Sequence, residues 1–191
     1  MDQAPPKLAH NVTRLGHLDL QGAGQVLVDG HYAYIGHITN KEGLGTSILD
    51  VADPKNPKVI TQLPVGDANS HSHKARAVGD LMITNMEQNM TAIGRKADEL
   101  PKLRVVMKAE LGRDATHAEL AARLGVSATD IPAVEALEKA PYNMGGFKVW
   151  DIKDRKNPKL ITHVKTHGRG VHRFDMDDKY AYISTEMPGY I

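Results

Sequence analysis

Ten histidines stand in this 191-residue chain, and some of them keep a fixed distance from a carboxylate. His73 precedes Glu87 by 14 residues, and His172 precedes Glu186 by the same 14. His73 also lies 8 residues before Leu81, as His172 does before Tyr180. The midpoint of each pair falls on a turn-forming stretch, near Asp80 and near Lys179. In an antiparallel hairpin, residues equidistant from the turn are cross-strand neighbours about 5 Å apart. The spacing therefore predicts one imidazole beside one carboxylate, at the same end of two equivalent hairpins. His71-Ser72-His73 adds a second imidazole on the same face if the strand extends that far. His167 precedes His172 on a loop and can reach the same region. The corresponding positions of an earlier hairpin are Gly24 and Ile38, which lack the pair.

Imidazole and carboxylate together suit Zn, Fe, Mn or Cu. The candidate ligands for such a divalent transition metal are His71, His73, Glu87, His172 and Glu186. The plainer alternative is a pair of cross-strand hydrogen bonds, worth under about 1 kcal/mol each. The chain has no cysteine, so thiolate ligands, cysteine nucleophiles and disulfides are excluded. No phosphate-cradling glycine loop, nucleophile-elbow serine or His-Glu-x-x-His helix is present.

The elements that must hold these residues repeat. Gly45-Thr46-Ser47-Ile48-Leu49-Asp50-Val51-Ala52-Asp53-Pro54-Lys55-Asn56-Pro57-Lys58-Val59-Ile60-Thr61 has a near copy at 146–162. Asp50 matches Asp151, Asp53 matches Asp154, and Lys-Asn-Pro-Lys and the Ile-Thr ending recur. Each copy reads as strand, polar turn, strand. A second hairpin type alternates with it. Asp29-Gly30 separates Val26-Leu27-Val28 from Tyr32-Ala33-Tyr34-Ile35, a strong hairpin signal. Arg173–Ser184 echoes it, and Ala75–Thr84 does so more weakly. Together the two hairpins make a four-stranded antiparallel unit of about 40 residues, the size of a propeller blade.

The expected fold is therefore all-β: a β-propeller portion of about two and a half four-stranded blades with a helical insertion. The blades would cover residues 24–66, then 73–165, then from 170 onward, within a single unit spanning 1–191. A closed ring needs more blades, so an oligomer or a longer chain is expected to complete it. Thr13–Leu20 reads as a lone outer strand.

The insertion, residues 90–143 within the second blade, is rich in Ala, Leu, Glu, Lys and Arg and predicts helix. Thr116-His117-Ala118-Glu119 has capping-box form, with Gly125 as the stop. Ser127-Ala128-Thr129-Asp130 predicts the cap of a second helix. Leu111–Ser127 resembles a helix-turn-helix of the sigma-factor type. The helix that would read DNA, Asp130–Lys139, has three acids, one Lys and no Arg, Asn or Gln. It would repel phosphate, so a small helical hairpin over the sheet edge or channel mouth is expected instead.

Ile48-Leu49-Asp50-Val51 with its Asp53-Pro54-Lys55-Asn56-Pro57 turn, and Val149-Trp150-Asp151-Ile152 with Asp154 through Pro158, resemble the LVIVD repeat family. That resemblance implies a β-propeller, often bacterial or archaeal, and in most members no assigned reaction. The His–Glu placement is distantly similar to the selenium-binding protein/methanethiol oxidase propellers, which use a metal at the channel. No catalytic residue carries over from either.

Lys and Arg number 24 against 23 Asp and Glu, so no global charge invites nucleic acid or an anionic membrane. No apolar run approaches the roughly 20 residues of a membrane span. The N-terminus lacks an apolar signal region, which points to a cytoplasmic protein, or to a secreted or periplasmic one if the N-terminus is processed. Two functions follow. One is a binding or scaffold propeller whose channel face holds a protein or small-molecule partner. The other is a metal-dependent enzyme, an oxidoreductase, using the His/Glu cluster at the channel mouth.

Overall fold

The computed structural model describes residues 11–38, 41–89, 92–139 and 142–185, with the side chains of 92 and 93 excluded. Glu186, one of the expected ligands, lies outside the described residues.

Strand accounts for 40% of the described residues and helix for 23%, and the helix among them is confined to one stretch. The first sheet is a four-stranded antiparallel meander. It comprises β1 (Ala23–Asp29), β2 (Tyr32–His37), β3 (Leu44–Asp50) and β4 (Lys58–Pro64), in chain order. The second contains β5 (Ser70–His71), β6 (Ala75–Val78), β7 (Leu81–Gln88), β8 (Gly146–Asp151) and β9 (Lys159–Lys165). Both β5 and β6 pair with β7, which is followed by β8 and β9. The third is the hairpin of β10 (Val171–Met176) and β11 (Ala181–Thr185). No sheet closes on itself among the described residues.

The turn-capping bonds of the two copies recur. Asp50 Oδ1 accepts from the Ala52 amide and Asp151 Oδ1 from the Lys153 amide, both at 2.9 Å. Asp53 and Asp154 accept from the amides of Lys55 and Lys156, each at 3.0 Å. These are the turn-capping roles that Asp fills because its short carboxylate reaches the amide two residues on. A register break falls between Ile48 and Leu49, and again between Val149 and Trp150. The β1–β2 and β6–β7 hairpins each place a glycine, Gly30 or Gly79, first in a two-residue loop, with φ of 57° and 59°. That position of the tight hairpin turn needs positive φ, which Gly adopts without a Cβ clash.

The sheets stack face to face. Tyr34 and Ile48 of the first meet Ala75, Ala77, Met82 and Ile152 of the second in one buried cluster. The other face of the second sheet packs Ile83 against Val171 and Phe174 of the hairpin. Met82 and Ile83 are neighbours in β7 yet serve opposite interfaces, as the strand period of two requires. Arg155 ties the first interface at its rim. It donates to Asp80 at 2.9 Å and to the Gly79 carbonyl at 2.7 Å, and its guanidinium stands 5.3 Å from the Tyr32 ring centre.

The outer strand expected at Thr13–Leu20 does not form. These residues carry no ladder, and Leu20 instead packs on Ala33, Ile35 and Leu49. The helical stretch also differs from the expected hairpin. It holds three helices, α1 (Ala92–Leu111), α2 (His117–Leu124) and α3 (Ile131–Lys139), with a short 3-10 turn at Ala128–Asp130. The Thr116–Glu119 capping box and the left-handed Gly125 stop are both present. The helices form their own core from Leu100, Met107, Leu120, Leu124, Ile131 and Val134. Arg104 on α1 bridges Glu135 and Glu138 on α3, at 2.6 Å each. The two acids that make α3 unfit for DNA thus serve as intramolecular partners.

Candidate metal centre

Glu87 is the centre of the cluster. It lies near the end of β7 and is 5% exposed. Its Oε2 is 3.2 Å from His71 Nε2 and 3.3 Å from His73 Nδ1. Its Oε1 is 2.8 Å from His172 Nδ1. The rings of His71 and His73 are 4.9 Å apart, and those of His73 and His172 are 5.1 Å apart. Four of the five expected ligands are therefore neighbours.

Their pairing differs from the hairpin rule. His71, not His73, stands opposite Glu87 in register. Pairing resumes on β6 one residue out of step, with Ala75 opposite Thr84. The cause is a detour of the backbone between β5 and β6. Ser72 bonds with His37 of the first sheet, whose amide donates to the Ser72 carbonyl at 2.8 Å. The His73 carbonyl accepts from the Gln25 amide at 3.1 Å. The detour breaks the ladder, yet His73 still turns its ring toward Glu87.

His172 reaches Glu87 from the third sheet. The Gln88 amide donates to the Arg169 carbonyl at 2.9 Å, and Glu87 bridges Gly170. These bonds lay the start of β10 along the end of β7. His167 is exposed and makes no contact with the cluster among the described residues.

Two asparagines set the cluster's polarity. Asn89 donates from Nδ2 to the carbonyls of Ala68 and Ser70, both at 3.0 Å. That fixes its Oδ1 as the acceptor facing His71 Nδ1 at 3.0 Å. The His71 proton then sits on Nδ1, and the Nε2 lone pair faces Glu87 Oε2. Asn85 is fully buried, accepts from the Lys74 amide at 3.0 Å and donates to the Val171 carbonyl at 2.9 Å. Its Nδ2 also points at His73 Nδ1, 3.2 Å away, which makes that nitrogen an acceptor.

Three acceptors therefore converge: His71 Nε2, His73 Nδ1 and Glu87 Oε2. One ligand atom from each lies within 4.8 Å of the others. Glu87 Oε2 is buried and has no hydrogen-bond partner among the described residues. A buried carboxylate oxygen among lone pairs is unfavourable unless a proton or a cation sits between them. The protonation states suit a cation. Burial, reinforced by the nearby Lys74 charge, pushes His73 down to about 4, so it is neutral near pH 7. Burial pushes Glu87 up, but the contact with His172, whose Nδ1–H donates to Oε1, pulls the carboxyl back below its ordinary value. His172 serves differently. Its Nδ1–H donates to Glu87 Oε1 and orients the carboxylate, a common arrangement around metal ligands.

Asn85, Asn89 and Lys74 were not among the residues singled out by spacing. Asn is depleted in strands, so Asn85 inside β7 was a readable signal. His37 is likewise buried, but Gln21 O and Ser47 Oγ occupy its two nitrogens at 2.6 and 2.7 Å. It is a structural histidine. No helix among the described residues is long and apolar enough to cross a membrane. Comparison with protein-family models, curated proteins and solved structures gave no match.

Proposed function

We propose that the chain is a metal-dependent protein in which His71, His73 and Glu87 hold one divalent transition metal. The observation that carries this reading is the buried Glu87 Oε2, without a hydrogen-bond partner among the described residues, beside His71 Nε2 and His73 Nδ1. Two His and one carboxylate is the ligand set of mononuclear Fe(II) oxygenases and of some catalytic zinc sites. Both leave coordination positions open for substrate or water. A metal so held would act as Lewis acid or redox centre, which makes an enzyme, an oxidoreductase by class, the favoured reading over a passive scaffold. His172 and Asn89 would be the residues that orient the ligands.

The scaffold we propose is a propeller portion of LVIVD-repeat type. It is supported by the recurrence of the Asp-to-amide bonds in the two strand–turn–strand units and by the face-to-face stacking of successive sheets. On this reading further sheets, from a continuation of the chain or from other chains, complete the ring.

The test is titration of chelator-treated protein with Co(II), Zn(II) and Fe(II), followed by calorimetry and elemental analysis. One ion per chain is expected. Glu87→Gln keeps the shape but removes the charge, and should weaken binding by about 10- to 100-fold or more. His172→Ala should weaken it within that range while leaving the fold intact. Absence of any binding by folded wild-type protein overturns the reading.

A further inference from the structure

Beside the cluster, a cleft of about 510 Å³ opens where three sheets meet. Its walls come from β1, the β5–β6 segment and β10, and include Gln25, His73, Lys74, Arg76, His172 and Arg173. His73 and His172 belong both to this cleft and to the cluster. The volume falls in the range of small-ligand sites. Its charge is one-sided. Lys74 is buried at 6% exposure, and its Nζ donates to the His172 carbonyl. Arg76 Nε is 3.3 Å from the largely exposed Asp175, a pair screened by solvent, and its Nη1 donates to the Ala75 carbonyl at 3.0 Å. Arg173 is exposed and has no carboxylate partner among the described residues. Among the described residues no carboxylate lines the cleft.

Low-dielectric walls bearing one sign of charge concentrate counter-ions. Guanidinium groups match the paired oxygens of carboxylate and phosphate by two parallel hydrogen bonds. A divalent ion beside His73 would add to the same sign. Resting on the metal reading above, we infer that this cleft binds a small oxyanion-bearing molecule, a carboxylate or a phosphate. Arg76 and Arg173 would grip its oxyanion group while another of its atoms reaches an open position on the metal. This assigns the substrate side of the site a chemical class and gives two arginines a binding role.

The experiment uses the whole chain loaded with Co(II), whose visible absorption reports its coordination. Oxalate and inorganic phosphate are titrated separately, so a carboxylate site and a phosphate site give different answers. At least one anion should change the Co(II) spectrum saturably, and added salt should weaken it. Arg173→Ala and Arg76→Ala should each weaken that anion about tenfold or more, the equivalent of one charge-assisted hydrogen bond. Both should leave Co(II) affinity within about twofold, because neither residue touches the ion. Arg173→Lys should recover only part of the loss. Anion affinity unchanged in both alanine variants, or no response to either anion, overturns the inference while the metal reading stands. If Co(II) fails to bind, anion calorimetry on the metal-free protein decides. Arginine-dependent binding there supports the cleft alone, and its absence overturns it.

Discussion

His172 Nδ1 lies 2.8 Å from Glu87 Oε1, although the two residues belong to different sheets and stand 85 positions apart. The contact makes Glu87 a junction: one oxygen is satisfied by the third sheet, and the other is left to the second sheet's histidines. Several consequences can be measured.

Asn85→Ala should couple fold and site. Asn85 bonds the Lys74 amide and the Val171 carbonyl, and faces His73. Its loss strands buried polar groups in two segments, at a cost of about 2–3 kcal/mol. Urea unfolding should show that loss, and metal affinity should change with it, because Asn85 Nδ2–H and a bound ion compete for the single lone pair of His73 Nδ1. Reduced stability with unchanged metal affinity would assign Asn85 a purely structural role.

Gly36→Ala should displace His73 from the next sheet. A Cβ on Gly36 would lie 2.1 Å from the His73 carbonyl carbon and 2.2 Å from the Lys74 amide nitrogen. Both atoms are backbone, so the strand must move rather than a side chain swing aside. The expected cost is about 2–3 kcal/mol or more, together with weaker metal binding. An unperturbed variant by melting and metal titration would contradict the close approach of the two sheets.

Arg155→Ala should loosen the stack of the first two sheets. The side chain is 18% exposed and joins Asp80, the Gly79 carbonyl and the Tyr32 ring. Loss of these contacts and of the packed stem should cost about 1–3 kcal/mol. Arg155→Lys should not restore it, since an ammonium lacks the planar fork. Denaturant midpoints of the three proteins give the comparison.

The metal-free protein should lose stability as the pH falls. The folded chain refuses a proton on His73 until about pH 4, whereas the ordinary value is 6.5. The unfolded chain therefore gains protons first, and stability falls between about pH 6.5 and 4, by up to about 3 kcal/mol. Glu87 acts in the same direction. Its folded carboxyl lies below the ordinary 4.5, so its contribution is present above that value and is lost as pH drops through the folded one. Melting temperature measured from pH 7 to pH 4 should decline, and His73→Asn should flatten the upper part of the decline. A flat wild-type profile would show that the cluster is not buried as described.

Local features were legible from residues a few positions apart. Paired Asp, Asn and Pro residues specify the two matching turns because the bonds that define them span two or three positions. Gly30 and Gly79 specify tight hairpins, and Thr116 with Glu119 specifies a helix start, for the same reason. Equal His-to-Glu spacing nominated His73, Glu87 and His172, and the alternation in His71-Ser72-His73 added His71, but the spacing paired His73 with Glu87 and His172 with Glu186. Tertiary structure decided which atoms meet. Ser72 leaves β7 to bond with His37 of the first sheet, which shifts the ladder and puts His71 opposite Glu87. Asn85 and Asn89 fix the imidazole protons through carbonyls of other segments, and Arg155 reaches a different sheet. These contacts depend on how the sheets stack. Stacking is set by the summed burial of two faces, which the spacing of residues along one strand does not encode.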